Sequence, residues 1–158
     1  MKQIFLAMMA LSLVACSRPR EDIIRVRSDD AEMTAAIAEA QRTLPEFWSA
    51  REKDGGDFAG LLKVYFSDPG NDQDGEHMWV CVTGREPRGV AGVLLDEPGW
   101  VKSVKQGQKV RFPNDRITDW LVVQGGKAHG AYTVRLLRKR MSPEERRRHD
   151  EGYPFAFD

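Results

Sequence analysis

Six short apolar segments between residues 61 and 137 constrain the fold of this chain more than any other feature. They cover residues 61–66, 78–83, 90–95, 108–112, 117–123 and 132–137. Most are separated by runs of turn-forming Gly, Pro, Asn and Asp, as at residues 68–75 and 85–89. Parallel strands need a crossover connection, usually a helix, and these intervals are too short for crossover helices. The pattern therefore predicts a mainly antiparallel sheet of about five to six strands.

Helices are predicted on both sides of this sheet region. Asp29 or Asp30 can cap a helix that runs through about Thr43. Its apolar side chains recur every three or four residues, at Met33, Ile37, Ala40 and Leu44. Pro45 is expected to start a second short turn that carries Phe47 and Trp48. Near the C-terminus, Ser142-Pro143-Glu144-Glu145 has the pattern of a capping box and predicts a short helix through about His149.

Together these elements predict an α+β domain. The N-terminal helix should pack on a curved, small barrel-like sheet, and a short C-terminal helix should follow it. The length of 158 residues suits one domain of ordinary size.

The first 15 residues have the pattern of a signal peptide. Lys2 provides a basic start, and 12 mostly apolar residues follow at positions 4–15, fewer than the ~20 that span a bilayer. The end of this run, Leu13-Val14-Ala15-Cys16, resembles a bacterial lipobox, which implies lipid attachment to Cys16 and cleavage before it. An ordinary secretory signal that happens to end at a Cys is the alternative. We therefore divide the chain into a lipoprotein signal peptide (1–15), a tether (16–28), a domain (29–150) and a tail (151–158).

Lipidation of Cys16 would tether the mature protein to a membrane. Ser17 resembles the outer-membrane sorting signal of double-membraned bacteria, so we expect the periplasmic face of the outer membrane. The chain has 24 basic and 24 acidic residues, and this balance together with export argues against a nucleic-acid partner. An envelope protein or a cell-wall component is the expected partner besides the membrane, and the oligomeric state stays open.

Several motifs follow one another in an order that resembles one uncharacterised bacterial family. They are Glu76-His77-Met78-Trp79-Val80, Gly92-Val93-Leu94-Leu95-Asp96-Glu97-Pro98, Gly107-Gln108-Lys109-Val110, Ile117-Thr118-Asp119-Trp120 and the segment at residues 126–137. On these residues the chain is similar to the YegJ-like family, domain of unknown function 2314, over about residues 29–150. The family has no agreed activity, so the resemblance implies a shared fold and no particular reaction. The family tends to have Gly where this chain has Ala131, which predicts less backbone freedom at that turn.

Glu76, His77 and Asp119 are the candidate catalytic residues. Imidazole titrates near neutral pH, and a His with carboxylates is the usual arrangement for general acid–base catalysis. Alternation along a strand places His77 and Trp79 on one face, and strand pairing would bring His77 beside Asp119. In the structural alternative His77 makes a structural hydrogen bond, and the carboxylates lie at a strand end and a turn.

We expect no metal ion and no cofactor. His77, Cys81 and His129 are the soft ligands near the predicted sheet, and they lack the spacing of zinc motifs. The acidic loop at residues 68–76 lacks the ligand order of an EF-hand. No P-loop, GxGxxG fingerprint or nucleophile elbow occurs in the chain.

Aromatic and basic residues are the candidates for binding. Trp79, Trp100 and Trp120 supply either core packing or a binding surface. Residues 135–149 contain seven basic side chains, which form either a solvated helix face or a contact with anionic lipid headgroups. The apolar tail at residues 153–157 either folds back on the domain or docks on a partner.

The absence of any established catalytic motif favours a non-catalytic binding or interaction domain of a cell-envelope lipoprotein. The alternative is a hydrolase-type enzyme that uses Glu76, His77 and Asp119.

Overall fold

The computed structural model describes residues 30–53 and 60–157. In chain order the elements are α1 (Ala31–Lys53), β1 (Gly60–Phe66), β2 (Glu76–Glu86), β3 (Gly89–Leu94), β4 (Lys109–Phe112), β5 (Ile117–Gln124), β6 (Lys127–Gly130), α2 (Tyr132–Arg140) and α3 (Pro143–Asp150). The predicted signal peptide and tether, including Cys16, lie outside the described residues. No helix within the described ranges combines the length and apolar character needed to cross a membrane.

The strands form one six-stranded sheet in the order β4-β3-β2-β1-β5-β6. Every neighbouring pair is antiparallel, which confirms the predicted α+β class. The barrel-like shape was wrong, because β4 and β6 lie at opposite edges and the sheet stays open. Closure needs hydrogen bonds between the two edge strands. Here the C-terminal segment bonds to β6 instead, where Ala156 O accepts the Ala128 N–H at 2.8 Å.

Each face of the sheet carries its own apolar core, because neighbouring side chains along a strand point to opposite sides. We call the two sides the α1 face and the α2 face. The core of the α1 face includes Leu62, Val64, Val80, Trp120 and, from α1, Phe47 and Trp48. The smaller core of the α2 face includes Leu61, Trp79, Leu121 and, from α2 and the tail, Val134, Phe155 and Phe157.

Helix α1 begins as predicted but is longer. Asp30 Oδ1 accepts the Met33 N–H at 3.0 Å, as an N-cap does. The helix continues to Lys53 with Pro45 inside it, although a proline removes one backbone donor from a helix. Phe47 and Trp48 are 0% and 8% exposed, and their burial against the sheet favours helix beyond the proline.

The strand predicted at residues 132–137 was wrong, because this segment is the start of α2. The sixth strand is β6, which precedes it. Val134 and Leu137 recur at helical spacing as well as lying in an apolar run, so periodicity alone does not separate the two structures. Gly130 and Ala131 have φ values of 73° and 54°, and this left-handed turn redirects the chain from β6 into a helix.

The capping box predicted at the start of α3 is confirmed. Ser142 Oγ accepts the Glu145 N–H at 3.3 Å, and the Glu145 carboxylate accepts the Ser142 N–H at 2.8 Å. After α3 the tail folds back on the domain, where the rings of His149, Tyr153 and Phe157 pack together.

Candidate functional site

Glu76, at the start of β2, uses its carboxylate to hold the connection between β3 and β4. Its Oε1 accepts the Gly99 N–H at 2.8 Å, and its Oε2 accepts the Trp100 and Val101 N–H groups at 3.0 and 2.7 Å. The residue is 6% exposed, and three backbone donors offset the cost of burying a carboxylate. This arrangement matches a structural role for Glu76.

Asp119, in β5, uses its carboxylate to cap α2. Oδ1 accepts the N–H groups of Trp120 and Tyr132 at 2.8 and 3.1 Å. Oδ2 accepts the Thr133 N–H at 2.8 Å and the Thr133 hydroxyl at 2.6 Å. Tyr132 and Thr133 begin α2, so these bonds satisfy donors that have no partner inside the helix. Burial raises the pKa of Asp119, whereas the Thr133 hydrogen bonds and the Lys63 ammonium act in the opposite direction.

A buried lysine, Lys63, lies in β1, the strand between β2, which carries His77, and β5, which carries Asp119. Strand pairing aligns Trp79, Lys63 and Asp119 in one row across β2, β1 and β5, and directly paired side chains share a face. Lys63 is 7% exposed, and its Nζ lies 5.1 Å from the centre of the Trp79 ring. Lys63 was not among the predicted site residues, although one lysine inside the apolar run at residues 61–66 is a detectable signal.

His77 is exposed to solvent, but its ring is crowded on one side. Nδ1 lies 3.0 Å from Thr118 Oγ1, and that hydroxyl donates to the Lys63 carbonyl at 3.3 Å. Because a hydroxyl has one hydrogen, we assign the proton of the imidazole to Nδ1, which leaves Nε2 unprotonated. The Tyr65 ring lies 4.9 Å from the His77 ring, centre to centre. Partial removal from water, with repulsion from the Lys63 ammonium, lowers the pKa of His77 to about 4.

The three candidate catalytic residues do not form one site. Alternation along β2 places Glu76 and His77 on opposite faces of the sheet. His77 and Asp119 share the α2 face, but His77 bonds to Thr118 while Asp119 bonds to α2 and to the neighbouring Trp120 N–H. Within residues 30–53 and 60–157, no hydrogen bond joins any two of the three side chains.

The three candidate tryptophans occupy different environments. Trp79 and Trp120 are 1% and 3% exposed. Trp120 Nε1 donates to the Ala40 carbonyl at 3.1 Å and to the Thr43 hydroxyl at 3.0 Å, so its polar atom is used inside the core. Trp100 is half-buried in the connection between β3 and β4. Binding by these residues stays a prediction, and Trp100 is the one that lies at the surface.

Several basic side chains of residues 135–149 form hydrogen bonds or ion pairs within the protein. Arg138 binds the Asp150 carboxylate through two hydrogen bonds of 2.8 and 2.7 Å. Arg140 pairs with Asp30 at the start of α1, and Arg146 donates to the Arg138 carbonyl at 3.0 Å. The arginine hydrogen bonds hold the pKa values of Asp30 and Asp150 below the usual range. These contacts join α1, α2 and α3, and they neutralise part of the positive charge that a lipid surface would meet.

The described part of the chain holds no cluster of three or more His, Cys, Asp or Glu side chains that could bind a metal ion. Its buried carboxylates are surrounded by backbone N–H groups, which compete with a cation for the same oxygen atoms.

Comparisons with known proteins give a family and no activity. A family model described as "Uncharacterized protein conserved in bacteria (DUF2314)" matches residues 30–157. A putative ankyrin repeat protein of Neisseria meningitidis serogroup B is 32% identical over 141 residues, which are 85% of this chain and 56% of that protein. The uncharacterized protein YegJ of Escherichia coli K12 is 28% identical over 143 residues, which are 90% of each chain. The chain thus spans little more than half of the Neisseria protein, and no solved structure matches it.

Proposed function

The chain belongs to the YegJ-like family DUF2314 of uncharacterised bacterial proteins, and from this premise we propose that it is a non-catalytic binding domain, tethered to the cell envelope through a lipid on Cys16. The family itself assigns no reaction. The proposal therefore rests on the chemistry of the described residues and on the N-terminal sequence.

The observation that carries the non-catalytic role is the use of the two candidate carboxylates. Glu76 accepts three backbone N–H groups and Asp119 accepts three more, together with one hydroxyl. A general acid or base must have an oxygen within hydrogen-bond reach of the substrate proton. Most acceptor positions of both carboxylates are occupied by structural donors, and both side chains are buried, which supports a role in shaping the domain.

The tether is tested by Cys16→Ser in the full chain. If Cys16 carries lipid, the variant leaves the membrane fraction or remains as an uncleaved precursor, and its mass lacks the acyl groups. A Ser17→Ala variant is the matched control, because it keeps the thiol. Unchanged fractionation and mass in Cys16→Ser would remove the lipoprotein proposal.

The non-catalytic role is tested by His77→Ala in the cells that contain the protein. The variant is expected to retain whatever phenotype the wild-type gene restores to a deletion strain, at equal protein level. Crosslinking of a tagged chain in the same cells should recover a partner. Loss of the phenotype in His77→Ala, without any recovered partner, would count against this function.

The hydrolase alternative has one observation in its favour. His77 presents an unprotonated Nε2 and is oriented through Thr118, as a general base requires. Its lowered pKa makes it a weak base, and neither Glu76 nor Asp119 is bonded to it. A binding domain therefore agrees better with the contacts of all three residues.

A further inference from the structure

The two edges of the sheet differ in how their backbone groups are used. At the β6 edge, the Ala128 N–H donates to the Ala156 carbonyl of the tail at 2.8 Å. The Arg135 guanidinium donates to the Ala128 and Gly130 carbonyls at 2.7 and 2.8 Å. The tail and Arg135 therefore cover this edge and leave little of it for another strand.

The β4 edge is open. At one end of the β3–β4 ladder the Leu94 N–H donates to the Gln108 carbonyl at 3.0 Å, and hydrogen-bonded pairs recur at every second residue of an antiparallel ladder. Val110 therefore bonds to β3, whereas Lys109 and Arg111 on either side of it direct their N–H and C=O groups away from the sheet. Among the described residues, no hydrogen bond reaches these outward backbone groups. Such a row of unpaired donors and acceptors is a template for a further strand.

The side chains of β4 alternate between two environments. Val110 and Phe112 are 7% and 6% exposed and belong to the core of the α1 face. Lys109 and Arg111 are exposed on the other side of the strand. The Arg111 Nε donates to the Glu86 carboxylate at 3.0 Å, while Lys109 forms no ion pair within residues 30–53 and 60–157. Two cations and one carboxylate thus leave this side of β4 positive.

A second copy of the chain is a poor match for the β4 edge. Two β4 strands paired antiparallel would place Lys109 opposite Arg111 of the other copy, or each residue opposite its own copy. Directly opposite side chains lie about 4.5–5.5 Å apart, where like charges are destabilising. Cations on a short edge strand are one of the ways in which proteins prevent such self-pairing. A strand with carboxylates at the opposite positions is attracted instead.

We propose that the β4 edge binds an extended segment of another protein as a further strand of the sheet, and that this segment alternates acidic and apolar side chains. Its backbone pairs with the outward N–H and C=O groups of Lys109 and Arg111, which is the mode of β-strand addition. Its carboxylates lie beside the two cationic side chains, and its apolar residues extend the core of the α1 face. This inference rests on the proposed binding function, since it names the surface and the kind of partner that function uses.

A synthetic peptide, Val-Glu-Val-Glu-Val-Glu-Val, tests the edge with the full chain. At saturation it should slow amide hydrogen exchange of the Lys109 and Arg111 N–H groups by at least about tenfold. The Ala128 N–H at the opposite edge, which the tail already binds, is the internal control and should not change. The same peptide with Lys in place of Glu should bind at least about tenfold more weakly. No binding of the acidic peptide, binding without slower exchange at these two residues, or equal binding of both peptides would overturn the proposal.

A proline in β4 tests whether the backbone makes the contact. Lys109→Pro removes an outward N–H and no hydrogen bond to β3, as proline on an edge strand allows. Lys109→Ala is the matched control, because it loses the same charge and keeps the N–H. Both variants should retain the urea midpoint of wild type, and Lys109→Pro should bind the acidic peptide at least about threefold more weakly than Lys109→Ala. Equal affinities of the two folded variants would contradict backbone pairing.

Crosslinking of the tagged full chain in its own cells separates this inference from the binding function. A crosslinked segment that alternates acidic and apolar residues, and that is lost in Lys109→Pro but not in Lys109→Ala, would support the β4 edge. Recovery of the same partner from wild type and Lys109→Pro would overturn the edge and leave the binding function intact. Recovery of no partner from any of the three chains would remove both.

Discussion

Asp119 shows how one buried side chain directs the course of the chain. Its carboxylate is 0% exposed and binds the first two N–H groups of α2. Helix N-termini leave such donors unsatisfied, and a carboxylate there also interacts favourably with the helix dipole. The adjacent Ala131 is the only residue other than glycine with positive φ among the described residues. The strained backbone of Ala131 and the Asp119 cap of α2 therefore lie at the same junction, where β6 leads into α2.

Ala131→Gly tests the strain at this junction. Glycine removes a left-handed penalty of ~1–2 kcal/mol, but it loses a buried methyl group worth ~0.8 kcal/mol and gains freedom in the unfolded chain worth ~0.4–1 kcal/mol. We expect a free energy of unfolding within about 1 kcal/mol of wild type. Ala131→Val should lose about 2 kcal/mol or more, because a β-branched residue at positive φ is strained and the site is packed.

Urea unfolding measures both variants. Gly130→Ala is a useful comparison, because a Cβ there would lie 2.3 Å from the Trp120 carbonyl oxygen, and it should destabilise as well. If Ala131→Gly destabilised the protein as much as Ala131→Val, backbone strain at Ala131 would not be the controlling factor.

His77 predicts a pH dependence of stability. Its pKa is lowered from 6.5 to about 4 in the folded protein, so the unfolded chain takes up a proton first as the pH falls. The stabilising contribution is therefore complete above about pH 6.5 and is lost as the pH falls towards about 4. Wild type should lose more stability than His77→Gln between pH 7 and pH 4.5. NMR titration of the His77 ring gives the direct check, and an unshifted value near 6.5 would contradict the assignment.

At the scale of elements, carboxylates connect parts of the fold that are distant in sequence. Glu76 and Asp68 hold the connection between β3 and β4, Asp119 holds α2, and Asp30 joins α1 to Arg140. Each carboxylate accepts backbone or guanidinium donors, which are strong partners for an ionised group. Two of the residues that looked catalytic in the sequence belong to this set.

Asp119→Ala tests the cap of α2. Three backbone N–H groups lose their acceptor, and each unsatisfied buried donor costs ~1–3 kcal/mol, so we expect a loss of about 3 kcal/mol or more in the free energy of unfolding. Amide hydrogen exchange should accelerate in α2 first. Asp115→Ala, at an exposed position before β5, is the control and should change stability by less than about 0.5 kcal/mol. Equal effects of the two substitutions would argue against a cap.

At the scale of the whole molecule, the sheet has two cores of unequal size. The α1 face is covered by one long helix, whereas the core of the α2 face depends on short elements that include the tail. The tail also bonds to the β6 edge through the backbone of Ala156. Exposed sheet edges favour association with other chains, so the tail both completes a core and protects an edge.

Deletion of residues 153–158 tests this role of the tail. Loss of Phe155 and Phe157 from the α2-face core and of the hydrogen bonds to β6 should lower the urea midpoint and increase aggregation. Ala156→Ser is the control, because it retains the backbone bonds at an exposed side chain. An unchanged midpoint after the deletion would show that the tail contributes little to the fold.

The sequence by itself determined the antiparallel pairing, the start of α1, the capping box of α3 and the family. These features depend on periodicity, turn residues and caps, which act over a few neighbouring residues. The sequence also singled out Glu76 and Asp119 as acid–base candidates and Trp100 as a binding candidate before their contacts were known. It did not indicate what the carboxylates do.

Only the tertiary structure decided the open sheet, the helix at residues 132–140 and the partners of the carboxylates. Glu76 and Gly99 are 23 residues apart, and Asp68 and Ser103 are 35 apart, so no local pattern contains either contact. By its spacing, the apolar run at residues 132–137 fits either a strand or a helix. The Asp119 carboxylate in β5 caps the start of this run as a helix, and that contact exists only in the tertiary structure. A carboxylate acts on whatever donor the fold brings to it, and in this protein the fold brings backbone N–H groups.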